Sequence, residues 1–99
     1  MEFLARIEQN ISPDMDPAQL ADVKLAEKVR GQELADAGTL RRIWRLPGRR
    51  AVMALYDVAS IDELHEVISS LPLFPWLEVT ITPLGTHALD PQSDSTHTP

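Results

Sequence analysis

Phe3, Ala5 and Ile7 alternate with Leu4, Arg6 and Glu8, a period of two that predicts a first strand. A turn-rich stretch, Asn10 to Pro17, follows. Asp16-Pro17 has the form of a helix start, with Asp as N-cap and Pro at the first helical position. That helix is expected to run to about Ala37, with Gly38 as its stop. Alternation resumes from Thr39 to Leu46 as a second strand, placing Leu40, Trp44 and Leu46 on one side and Ile43 on the other. Pro47-Gly48 reads as a turn, and Arg50 to Val58 as a third strand, so the two make a hairpin. Ser60 with Glu63 forms a capping box for a second helix. Its stripe is Ile61, Leu64, Ile68 and Leu71, and Pro72 ends it. After the apolar loop Leu71 to Pro75, the alternating Leu77, Val79 and Ile81 give a fourth strand, closed by Pro83.

The order is βαββαβ. With right-handed crossovers it defines an α+β, ferredoxin-like fold: a four-stranded antiparallel sheet with two helices on one face. The domain is expected over residues 1–85, with a flexible polar tail over 86–99, where almost nothing apolar is available to offset ordering entropy. The third strand is apolar on both sides, with Ala51, Met53 and Leu55 against Val52, Ala54 and Tyr56. A two-sided strand predicts that the open sheet face is covered by another subunit, the alternative being a central strand in a monomer with some apolar surface.

Composition sharpens this picture. Ninety-nine residues make one small core, marginal on its own, which again favours self-association. With no cysteine there is no disulfide, thiolate metal site or cysteine nucleophile. A net charge of -6 argues against a nucleic-acid partner. No apolar run is long enough to cross a membrane, and Met1-Glu2-Phe3 lacks the basic start of a signal peptide, so a cytoplasmic location is expected.

One position stands out chemically. On a helical wheel Leu20, Val23, Gly31 and Leu34 cluster toward the sheet, and Glu27 lies in the middle of them. Lys24 is one turn earlier at the stripe's edge, and Arg30 is on the opposite edge. Burial would raise the Glu27 pKa and a neighbouring cation would lower it. A carboxylate poised between the two can take and return a proton. The alternative is a structural carboxylate in a partly buried salt bridge with Lys24 or a strand arginine. Gly31 beside it suits either a cavity or close helix–sheet packing. Arg41, Arg42, Arg45, Arg49 and Arg50 gather around the hairpin, either as a solvated face or as a site for a carboxylate ligand. His65, His87 and His97 lack ligand spacing, so no metal is expected. Trp44 and Trp76 read as core or interface residues, and the Leu71 to Pro75 loop as a pocket lid or a subunit contact.

Taken together, Asp14-Met15-Asp16-Pro17, Lys24 with Glu27-Lys28, Gly38-Thr39, Trp44-Arg45 before Gly48, Asp57-Val58, Leu64-His65 and Leu71-Pro72-Leu73-Phe74-Pro75 resemble the muconolactone isomerase family over about residues 1–87. The resemblance implies a ring-like homo-oligomer, typically a decamer. It also implies a cofactor-free 1,3-proton shift that turns muconolactone into 3-oxoadipate enol-lactone in aromatic catabolism. By that resemblance Glu27 is the base and acid, and Lys24 or a hairpin arginine binds the substrate carboxylate or stabilises the dienolate. Lys24 is assigned beside Glu27 as catalytic, and Arg45, Arg50, Tyr56 and Phe74 as substrate contacts. The third strand departs from the family, which usually has tyrosine and asparagine where Arg50 and Val52 stand here. Valine cannot donate to a carbonyl, and an arginine close to Glu27 would weaken it as a base.

Overall fold

The computed structural model describes residues 1–92, and His97 and the end of the expected tail lie outside them. The chain forms β1 (Glu2–Gln9), α1 (Pro17–Asp36), β2 (Leu40–Arg45), β3 (Ala51–Asp57), α2 (Ile61–Ser69), a 3-10 turn (Phe74–Trp76) and β4 (Leu77–Leu84). The strands pair antiparallel in the order β2-β3-β1-β4, which is the ferredoxin-like arrangement.

Local chemistry accounts for the boundaries. The Asp16 carboxylate accepts from the Gln19 N–H at the start of α1. At the other end Gly38 takes φ 80°, a left-handed conformation that costs glycine nothing. Ser60 Oγ accepts from the Glu63 N–H at 3.1 Å, and Glu63 reaches back to the Ala59 N–H at 2.8 Å. In the hairpin, Arg49 N–H donates to Leu46 C=O at 3.2 Å around Pro47 and Gly48, whose φ is 79°. Proline second and a left-handed glycine third make this a type II turn.

Three details differ from the sequence pattern. First, α2 stops at Ser69, before Pro72, because Ser70 caps it and bonds back to Val67 C=O. Leu71 is nevertheless buried, whereas Ile61 is 51% exposed and contributes little to the core. Second, β4 continues through Pro83, which is opposite Phe3. An edge strand tolerates the missing N–H. Third, β2 carries a bulge between Leu40 and Arg42. Leu40 is opposite Tyr56, but Ile43 is opposite Ala54, Trp44 opposite Met53 and Arg45 opposite Val52. Leu40 and Trp44 therefore occupy opposite faces, and the bulge turns Arg45 toward the helix side. Arg41, at the bulge, pairs with Asp57 at 3.3 Å.

The core is on the helix side. Phe3, Ala5 and Ile7 of β1 and Ala54 and Tyr56 of β3 pack with Val58, Leu64, Ile68 and Leu71. From α1 only Leu34 is fully buried; Leu20 and Val23, also on its inward stripe, are half-buried, while Leu25 and Val29 face outward and are 64% and 56% exposed. The first half of α1 thus stands off the sheet rather than sealing against it. On the other face, Leu4, Met53 and Leu55 are half-buried beside Trp44. No helix among the described residues is long and apolar enough to cross a membrane.

Candidate active site

Glu27 points inward from the middle of α1 and is half-buried. Its Oε1 accepts a hydrogen bond from the Leu73 backbone N–H at 2.9 Å. Leu73 is 2% exposed and caps the 3-10 turn, so the Leu71 to Pro75 segment presents its amide to the carboxylate. A second tie, Arg30 Nε to Ser70 Oγ at 3.0 Å, fixes α1 against the end of α2. Burial raises the Glu27 pKa above its ordinary value, and the Leu73 amide pulls part of the way back. Among the described residues neither Lys24 nor any arginine forms an ion pair with Glu27. The expected salt bridge is absent there, and so is the expected weakening of the base by Arg50.

Tyr56 is close enough to this carboxylate to feel its charge. It is 3% exposed, and its hydroxyl pKa is pushed up to about 12, chiefly by burial and further by the negative charge of Glu27. Phe74 adjoins Leu73 and is 37% exposed.

The standing-off of α1 opens a cleft of about 750 Å³ between its first turns, the β1–α1 loop and the hairpin. Lys24, Arg45, Arg49 and Arg50 line it, with Ile7 and Val52 on the sheet side. Lys24 precedes Glu27 by three residues, about 4.5 Å along the helix axis. The structure therefore gathers the proposed residues into two adjoining groups. Lys24, Arg45 and Arg50 share the cleft, whereas Glu27, bonded to the Leu73 amide, Tyr56, which feels the Glu27 charge, and Phe74, next to Leu73 in the chain, do not line it.

Two participants were not legible as such. The Leu73 amide is a backbone group that side-chain patterning does not show, although the apolar run around Pro72 marked its segment. Arg49 was one of five basic hairpin residues, and only the turn geometry singles it out. A Cβ built on Gly31 meets nothing within 4 Å, so this glycine borders open space and does not serve close helix–sheet packing. His65 is exposed, with its Nε2 3.4 Å from Ser69 Oγ of the same helix. No cluster of three potential metal ligands occurs among the described residues.

Fold and site together define a small ferredoxin-like α+β protein with a half-buried carboxylate of raised pKa next to a basic cleft. The chain matches the muconolactone delta-isomerase family over residues 1–90 and belongs to it. It is 40% identical to the muconolactone delta-isomerase of Cupriavidus pinatubonensis over 88% of this chain and 95% of that protein. With the muconolactone delta-isomerase of Rhodococcus opacus it shares 39% identity, covering 89% and 95%. A crystal structure of muconolactone isomerase superimposes with a TM-score of 0.89 at 35% identity, covering 95% of this chain and 98% of the other.

Proposed function

We propose that this chain is a cofactor-free intramolecular isomerase that moves a C=C bond within an unsaturated lactone, converting muconolactone to 3-oxoadipate enol-lactone. The observation that supports it best is the Glu27 carboxylate, half-buried, raised in pKa and without a cationic partner among the described residues. Such a group is a stronger base than a solvated glutamate and can hold the proton it takes.

The steps balance on one residue. The Glu27 carboxylate removes the proton from the γ carbon of the lactone. That C–H electron pair becomes the β,γ double bond, and the former α,β pair moves toward the carbonyl, leaving a dienolate. Protonated Glu27 then returns its proton to the α carbon, and the carboxylate is restored. Lys24, one turn away, provides positive potential for the dienolate oxygen. Arg45 and Arg50 hold the substrate's carboxylate, and Tyr56 and Phe74 bound the site on the Glu27 side. The active form is a cytoplasmic homo-oligomer, a decamer by family resemblance.

Arg50 and Val52 favour a second reading, in which the chain acts on a different small acidic ligand without isomerising muconolactone. Val52 gives no hydrogen bond where a carbonyl would need one, and Arg50 adds charge to the cleft. Turnover of muconolactone in deuterium oxide, followed by NMR, separates the two. The isomerase reading expects turnover by the wild type and loss of about 10²–10⁴-fold in Glu27→Gln with the fold intact. Unchanged turnover in that variant overturns the role of Glu27. A wild type that binds another carboxylate saturably but never turns over muconolactone establishes the second reading.

A further inference from the structure

Four of the nine lysine and arginine residues of this acidic protein converge on one cleft. Lys24 reaches it from α1, Arg45 from the helix side of β2, and Arg49 and Arg50 from the hairpin turn. No aspartate or glutamate lines the cleft, and none of the four cations forms an ion pair among the described residues. Glu8 lines the smaller hollow next to it, but Arg6 engages that carboxylate at 3.6 Å. Elsewhere in the chain Arg30 and Arg41, like Arg6, have acidic partners. Lys28 and Arg42 also form no ion pair among the described residues, but neither lines the cleft, where four such cations gather.

We infer that the cleft is a binding site for a di- or tricarboxylate, so that the ligand carries more than the single carboxylate of a simple lactone acid. Like charges held together without acids repel one another, and a single carboxylate would offset only one of four. Two or three carboxylates on a short carbon chain can reach the arginine pair at the turn and the Arg45–Lys24 side together. A cleft of about 750 Å³ has room for such a branched ligand. Arginine forks suit flat carboxylates held by two parallel bonds. The backbone cradle that often receives a phosphate is missing here. Pro17, at the start of α1, has no N–H, and the Gln19 N–H is already taken by Asp16 at 3.3 Å. The inference goes beyond the isomerase reading and agrees with the second one, a different small acidic ligand, since muconolactone itself carries a single free carboxylate.

Calorimetric titration of the whole protein with butyrate, glutarate and tricarballylate tests it, at low and at physiological ionic strength. The wild type is expected to bind tricarballylate at least about tenfold more tightly than butyrate, with the advantage shrinking as salt rises. The double variant Arg49→Gln/Arg50→Gln should lose that advantage. Lys28→Gln, which removes a cation of α1 outside the cleft, should keep it. Equal affinities across the series, or an advantage that survives in the double variant, overturn the proposal. Inorganic pyrophosphate binding far more tightly than tricarballylate also overturns it, by making this a phosphate site. The series does not use the chemistry of Glu27. Glu27→Gln should retain the order of affinities while losing turnover, so the ligand class and the isomerase reading can fail separately.

Discussion

The Glu27 carboxylate and the Leu73 backbone N–H, 46 residues apart in the chain, meet at 2.9 Å. This contact places a titratable group of α1 against a fixed donor on the 3-10 turn. It holds the carboxylate in one orientation without a compensating cation. The arrangement costs some stability when Glu27 is ionised, because burial disfavours the charge more than one amide favours it.

That cost has a definite sign with pH. A carboxyl group whose folded pKa is raised contributes stability that is full below its ordinary value of 4.5. The contribution is lost as pH rises through the folded pKa. Glutamine at this position does not titrate. The stability of the wild type relative to Glu27→Gln is therefore expected to fall from below 4.5 toward neutral pH. Urea unfolding of both proteins across that range measures it. A difference that stays flat, or moves in favour of the wild type, would show that Glu27 is not held in a desolvated site.

Tyr56 gives an independent probe, since the chain has one tyrosine. The rise of tyrosinate absorbance should have its midpoint at about 12 in the folded protein, against 10 for the free group. Stability linked to this hydroxyl is full below 10 and is lost as pH rises through 12. In Glu27→Gln the folded midpoint should move down, because the nearby negative charge is gone. An unmoved midpoint would separate Tyr56 from Glu27 electrostatically.

Gly31→Ala should stabilise the protein by about 1 kcal/mol, the helix-propensity difference between the two residues. The new methyl group meets nothing within 4 Å in its own chain. Thermal unfolding reads the gain directly. Destabilisation would mean that another copy of the chain or a bound molecule occupies that space.

The fold was legible because each signal had a local physical cause. Asp16-Pro17, Gly38, Pro47-Gly48 and the Ser60–Glu63 box determine where elements begin and end. Glu27 was legible as an acid on an apolar stripe. The bulge in β2 was not, since Arg41 and Arg42 fit a regular alternation and the shift arises only when Arg41 meets Asp57 and Leu40 meets Tyr56. That shift decides which hairpin residues serve the cleft: it brings Arg45 in and sends Trp44 to the opposite face. The depth of α1 burial was equally hidden. A helical stripe records which side faces inward but not how far the helix stands from the sheet.

The face left open by the helices supplies the last prediction. Leu4, Met53 and Leu55 are half-buried on it, and Trp44 is 39% exposed with the Arg42 guanidinium 4.9 Å above its ring. A contiguous apolar strip of this kind on so small a domain is best covered by another copy of the chain. Light scattering at micromolar concentration should give a mass well above 11.0 kDa. Leu55→Glu would bury an unpaired charge in that contact and should lower the mass, because an uncompensated carboxylate is costly to desolvate. Circular dichroism on the same sample distinguishes dissociation from unfolding, since the residue points away from the core. A wild type that scatters as a clean monomer, or a Leu55→Glu protein that keeps the full mass, would show that this face is not where copies meet.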